Sequence, residues 1–325
     1  MGDKSRGPAS GTVPPLADED ARLTGAATRS GVARSDGAGL RDPFDRTALA
    51  RNRERALRAA LNRPDGSGDP DFLLRLAMDD LLERLHGVER RFERAAIIDP
   101  PLGHLVGELS AHERVGDAVA VELETDGRLP LAPGSVDLVV SLMALHVTAD
   151  VPGLLAQAAR ALRGDGLFLA AFPGGATLGE LREVLLEAEL ELTGGASPRV
   201  FPFIDVREAG ALLQRAGLAL PVADIDRLTV RYADALALMR DLRAMGMGNA
   251  LADRSRRSMP RAVLFRAASL YAERHSDPDG RVRATHEIVS LSGWRPHESQ
   301  QRPLSPGSGR VRLGEVLPDR TPGAR

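Results

Sequence analysis

The 325-residue chain sets 43 Lys+Arg against 45 Asp+Glu, a formal net charge of -2, so no global field draws it onto nucleic acid or an anionic membrane. The absence of cysteine removes a disulfide framework, a thiol nucleophile, an iron–sulfur cluster and a cysteine zinc site, while Lys4 as sole lysine removes a Walker A loop and a Schiff-base lysine. No metal site is expected, HExxH and GxSxG do not occur, no apolar run approaches the roughly 18 residues of a membrane span, and the early acidic N-terminus is unlike a signal peptide, so the expectation is a cytoplasmic protein.

Residues 1–40, rich in Gly, Ala, Ser and Pro without apolar periodicity, are expected to be a disordered tail. Residues 42–62 have helical composition, with Pro43 suited to a first turn and Arg46, Arg51, Arg53, Arg55 and Arg58 giving a basic surface. Residues 64–68 break the chain, and from Asp71 a second helix carries Phe72, Leu73, Leu76, Leu81, Leu82 and Leu85 at helical spacing, so residues 41–94 read as a helical N-terminal extension. Beyond it, short apolar runs alternate with amphipathic helices, the pattern of a parallel sheet covered on both faces. Strands are expected at 95–99, 118–123, 136–142, 167–172, 220–230 and 284–294. The intervening helices are placed at 102–112, 151–162, 177–192, 205–216, 232–245 and 259–274. Gly164 and Gly166 are expected to supply the left-handed turn that ends a helix. The predicted fold is an α/β protein: a three-layer α/β/α sandwich with a Rossmann-like, mostly parallel sheet, one reversed strand near its end, a main domain at 95–310 and a C-terminal tail at 311–325.

Residues 129–141, then Leu145-His146 and Gly164-Asp165-Gly166, resemble the fourth and fifth strands of a class I SAM-dependent methyltransferase. Gly174-Gly175, Ser197-Pro198 with Phe201-Pro202-Phe203, Asp241-Leu242-Arg243, Trp294-Arg295-Pro296-His297 and, near the start, Phe44-Asp45-Arg46 narrow the likeness. In that order they resemble the methyltransferase-fold assembly factors of respiratory complex I, a family of protein-arginine hydroxylase type related to the malonyl-carrier-protein methyltransferase of biotin synthesis. The resemblance spans roughly residues 42–310. It implies S-adenosylmethionine as cofactor, a complex I subunit as partner, and action on a protein side chain; the alternative is a catalytically inactive relative that acts as a partner-binding assembly chaperone.

The departures from the resemblance fall at the cofactor loop. Class I methyltransferases close the first strand with an acid and a glycine-rich loop, whose N–H groups meet the methionine carboxylate. Here the loop reads Asp99-Pro100-Pro101-Leu102-Gly103, and two prolines remove two donors. Between Asp99 and Leu129 there is room for one strand rather than two, so a βα unit is shortened and SAM binding is expected to be weak.

Each candidate residue has a structural reading beside its functional one. Asp99 orders a cofactor loop or caps a helix, and Gly103 admits a carboxylate or eases a turn. Glu124 and Asp126 reach an adenine amino group or are solvated loop acids. Ser141 and His146 follow an apolar strand at its carboxyl end, where open α/β sheets bind ligands; Ser141 belongs with the cofactor set, and His146, the catalytic candidate, is otherwise a packing histidine. Gly174 and Gly175 shape a pocket wall or a turn. Trp294 and His297 line the substrate side or pack the sheet edge, Tyr232 starts a helix, and Arg240 and Arg243 face an acidic partner or solvent.

Overall fold

A computed structural model describes residues 42–61 and 71–301; the expected tails at 1–40 and 311–325 and the break at 64–68 lie outside the described residues. A helical pair opens the chain, α1 (Arg46–Leu61) and α2 (Phe72–His86). Then follow β1 (Phe92–Ile98), α3 (His104–Ser110), β2 (Val115–Val121), β3 (Val136–Leu142), a short 3-10 turn at Leu145–Val147, α4 (Val151–Ala161) and β4 (Leu162–Pro173). The second half holds α5 (Gly179–Thr193), α6 (Val206–Arg215), β5 (Ala219–Tyr232), α7 (Ala235–Ala244), α8 (Arg261–His275) and β6 (Val282–Trp294). The six strands form one sheet in the order β2-β1-β3-β4-β6-β5. β2, β1, β3 and β4 pair in parallel, and β6 runs antiparallel to both β4 and β5, so it is the one reversed strand.

Alternation along the central strands builds the three layers. Ala96, Ile98, Val139, Phe168 and Ala170 face α4 and α6, whereas Ala95, Ile97, Leu138, Val140 and Leu169 face α2 and α3. Both faces of β3 are buried along its whole length, which is why it reads as a continuous apolar run. A third cluster packs α5, α7 and α8 against Val282 and Ala284 of β6, and Met245 and Met247 join it to the α2 side. The sandwich predicted from the sequence is therefore the architecture found.

Local chemistry moves several boundaries. α4 ends at Ala161 and the chain turns straight into β4, with Leu162 already extended. Gly164 and Gly166 lie inside the strand, and the left-handed conformation falls instead on Asp165, at φ 64°. Close approach explains the glycines: a Cβ on Gly164 would sit 2.6 Å from the His297 ring, and one on Gly166 2.9 Å from the Asp137 carbonyl. Tyr232 ends β5 rather than starting a helix; Asp234 caps α7 by accepting from the Ala237 amide, and the Tyr232 hydroxyl donates to Asp241 Oδ2 at 2.8 Å.

Candidate functional site

Strand order reverses between β1 and β3, and an open α/β sheet holds its ligand crevice at the carboxyl ends flanking such a reversal. Ile98 pairs with both Val121 and Ser141, so the ends of β2, β1 and β3 lie side by side there. The structure brings Asp99, Ser141 and the start of the 122–128 loop to one edge.

Asp99 adopts φ 43°, its amide donates to the Val121 carbonyl at 2.9 Å, and its Oδ1 accepts from the Leu123 amide at 2.9 Å. Partial burial pushes its carboxyl above the usual range, against the opposing pull of the Leu123 amide and of Arg53. Pro100 is buried and its carbonyl accepts from Arg53 of α1. Leu102 is buried in the α2/α3 core, and Gly103 begins α3 with ordinary helical φ and open space where a Cβ would stand. Glu124 and Asp126 close a turn on Arg128: Glu124 pairs with its guanidinium and Asp126 accepts its amide at 3.0 Å. Ser141 is fully buried with an unpartnered Oγ.

His146 sits in the 3-10 turn, packed against Phe201 and Phe203 with ring centroids 6.3 and 6.1 Å away. Its Nδ1 is buried without a partner, and burial lowers its pKa to about 4, so the ring is neutral at physiological pH. Phe201 in turn meets Phe44 edge-on at 5.8 Å. Beside His146 opens a cleft of about 510 Å³, bounded by residues 43–44, the start of α4, the Pro202–Ile204 loop and one face of α6.

The N-terminal segment clasps this end of the molecule. Phe44 forms a β-bridge with Leu251, the Asp45 amide donates to the Ala250 carbonyl at 2.7 Å, and the Asp45 carboxylate accepts from Arg254, from the Ala48 amide and from Arg256, which in that order hold its pKa near 2. Asn52, 7% exposed, donates to the Gly248 carbonyl at 2.6 Å. Gly246 is needed there twice over, for its φ of 77° and for the Asn52 carbonyl, which a Cβ would approach to 2.9 Å. Sequence reading flagged Phe44, Asp45 and Phe201 only as parts of a family pattern, and missed Asn52 and the contact of Arg53 with the loop.

The remaining candidates lie elsewhere. Gly174 is required by the approach of β6, since a Cβ would fall 2.5 Å from Glu287 Oε1 and 2.6 Å from Val289. A Cβ on Gly175 would meet only ordinary contacts. Trp294 pairs with Leu167 at the opposite edge of the sheet, beside Phe92, and His297 bonds Ser299 at the surface there. Arg240 and Arg243 stay exposed. Among the described residues no group of His, Cys, Asp and Glu could hold a metal ion, and no helix is long and apolar enough to cross a membrane.

A family profile described as a methyltransferase domain matches residues 101–170. The mitochondrial arginine-hydroxylase NDUFAF5 of Rattus norvegicus is 34% identical over 264 residues, covering 76% of this chain and 77% of the rat protein. The chain belongs to the NDUFAF5 family. The Danio rerio protein of that name is 39% identical over 188 residues, a stretch that spans 58% of each chain. The malonyl-[acyl-carrier protein] O-methyltransferase of Laribacter hongkongensis is 40% identical over 189 residues, covering 58% of this chain and 60% of that one. This NDUFAF5-family chain is thus a SAM-dependent methyltransferase-like protein.

Its loop after β1 does not fit the cofactor's methionine end. Asp99 Oδ1 already accepts from the Leu123 amide, Pro100 and Pro101 offer no N–H, and the Leu102 side chain turns into the core. In this member of the NDUFAF5 family the strand ends meet where the fold places its crevice, while prolines stand at two of the positions that would donate to a carboxylate.

Proposed function

We propose that the chain serves the assembly of respiratory complex I by engaging a complex I subunit through its methyltransferase-like domain, with the SAM chemistry of its family reduced or lost. The single observation that carries this reading is the loop after β1, where Pro100, which is buried, and Pro101 stand in place of amide donors. A domain that keeps its layers and its N-terminal clasp without a cofactor cradle suits protein recognition better than methyl transfer. The NDUFAF5 relatives named as arginine-hydroxylases support the choice of partner class.

A second reading, an enzyme that modifies a protein side chain with SAM, is favoured by Ser141 Oγ near the carboxyl end of β3 and His146 Nδ1 just beyond it, two buried polar atoms without partners. Methyl transfer asks chiefly for alignment of sulfonium, methyl and acceptor, so the lack of an acid–base pair does not oppose it. We also propose a cytoplasmic location on the sequence alone; the animal relatives are named mitochondrial, and cell fractionation decides between the two.

The test combines calorimetry with SAM on the full chain and measurement of complex I activity in cells that lack their own family member. Rescue of complex I by a chain that does not bind SAM supports the first reading. Submicromolar SAM binding together with a mass shift on a complex I subunit replaces it with the second, and failure to rescue complex I refutes both.

A further inference from the structure

The cleft beside His146 is lined by none of Asp99, Gly103, Glu124, Asp126 and Ser141. Its walls are apolar: Pro43, Pro152 and Pro202 are exposed along it and Phe44 is half-buried between them. Across from them, one face of α6 presents Glu208 and Arg215, both exposed, with Ala211 and Leu212 between. We infer that this cleft is a docking groove for a proline-rich segment of a partner protein in the polyproline II conformation, carrying one basic and one acidic residue three positions apart. The inference rests on the partner-binding reading above and names the chemistry of what is bound.

Three physical arguments select that occupant. Glu208 and Arg215 are seven residues apart on a helix, which separates them by two turns or about 10.5 Å along the axis. A polyproline II segment repeats every three residues at about 3.1 Å each, so side chains at positions j and j+3 share one face and stand about 9 Å apart. An extended β-strand would send those two side chains to opposite faces, and no strand of the sheet borders the cleft to pair with one.

The second argument is the wall. Proline-rich helices dock on apolar, aromatic-lined grooves because they are already ordered and lose little entropy on binding. The third is preorganisation. Phe44 is pinned by its bridge to Leu251, and α6 is capped by Asp205, which accepts from the Arg207 amide at 2.8 Å. A groove fixed in advance spends less of its binding free energy on ordering itself.

The experiment uses fluorescence anisotropy on the full chain with three labelled probes: acetyl-Pro-Arg-Pro-Pro-Glu-Pro-amide and its counterparts with arginine at both charged positions or glutamate at both. The wild type should bind the mixed-charge probe about five- to tenfold more tightly than either other, the range that two exposed charge pairs supply. Glu208→Arg should transfer the preference to the glutamate pair, Arg215→Glu to the arginine pair, and Glu208→Gln should flatten it while leaving the melting temperature unchanged. Equal binding of all three probes by the wild type, or preferences that the variants do not move, overturns the inference. So does saturable binding of 1-anilinonaphthalene-8-sulfonate in the cleft that none of the probes displaces, which would make it a small-molecule pocket. Complex I rescue by the wild type beside a flat probe series would refute the groove alone; failed rescue would refute the function on which it rests.

Discussion

Exchanging both prolines of the β1 loop for glycine, in the double variant Pro100→Gly/Pro101→Gly, should raise SAM affinity while lowering stability. Each substitution restores one N–H at the place where the family's glycine loop meets a carboxylate, and a hydrogen bond to a charged group contributes about 1.5–3 kcal/mol. Two of them amount to about 3–6 kcal/mol, or roughly two to four decades in dissociation constant. The unfolded chain gains freedom when proline becomes glycine, at about 0.4–1 kcal/mol per site, and the Pro100 ring also leaves a buried position. The Arg53 contact uses the residue-100 carbonyl and survives the exchange. Isothermal calorimetry with SAM and thermal unfolding on the same samples give the two signs separately. A wild type that already binds SAM below micromolar, or a folded variant that binds no tighter than wild type, would refute the argument that missing amides limit this site.

Three further outcomes are expected. His146 and His286 have folded pKa values lowered to about 4 by burial, against 6.5 for an exposed ring. The unfolded chain therefore takes up the protons first, so stability is full above pH 6.5 and falls as the pH drops from there towards 4. For His286, which is 1% exposed, urea unfolding should show a loss of about 2 kcal/mol between pH 7 and pH 5, and His286→Leu should remove that part of the slope. Gly174→Ala should cost about 1–3 kcal/mol by overpacking, because the new methyl meets Glu287 and the fully buried Val289; an unchanged melting temperature would show that β6 yields there. Phe168→Ala, at a ring with no exposed surface between the sheet and α4, should cost about 3–5 kcal/mol in denaturant unfolding, and a loss under 1 kcal/mol would contradict the placement of that core.

The sequence alone was enough for the layers and most of the strands, because burial on one or both sheet faces imposes a period that composition records. β3 reads as an unbroken apolar run because it has a helix layer on each side, and β6 alternates where one face meets α5 and α8. The proline-broken loop at Asp99 was legible for a similar reason: whether residues 100 and 101 carry an N–H is fixed by their chemistry, whatever the fold does around them. The family pattern was legible as an ordered set of short motifs, but which of them would meet was not.

Contacts distant along the chain, which leave no local period, were decided by the tertiary structure alone. Asn52 reaches Gly248 across 196 positions and Arg53 reaches Pro100 across 47, so nothing near either residue announces the clasp. Trp294 and His297 had a sheet-edge reading beside a substrate-side one, and the antiparallel register of β6 decides for the former by carrying them to the amino edge of β4. The left-handed turn moved from the glycines at 164 and 166 to Asp165, since the glycines answer to neighbours that packing brings close rather than to backbone handedness. The cleft beside His146 gathers residues 43, 152, 202 and 208 from four separate segments. A sequence fixes which groups carry donors, charges and apolar surface, whereas the crossings of helices and strands fix which of those groups share a cavity.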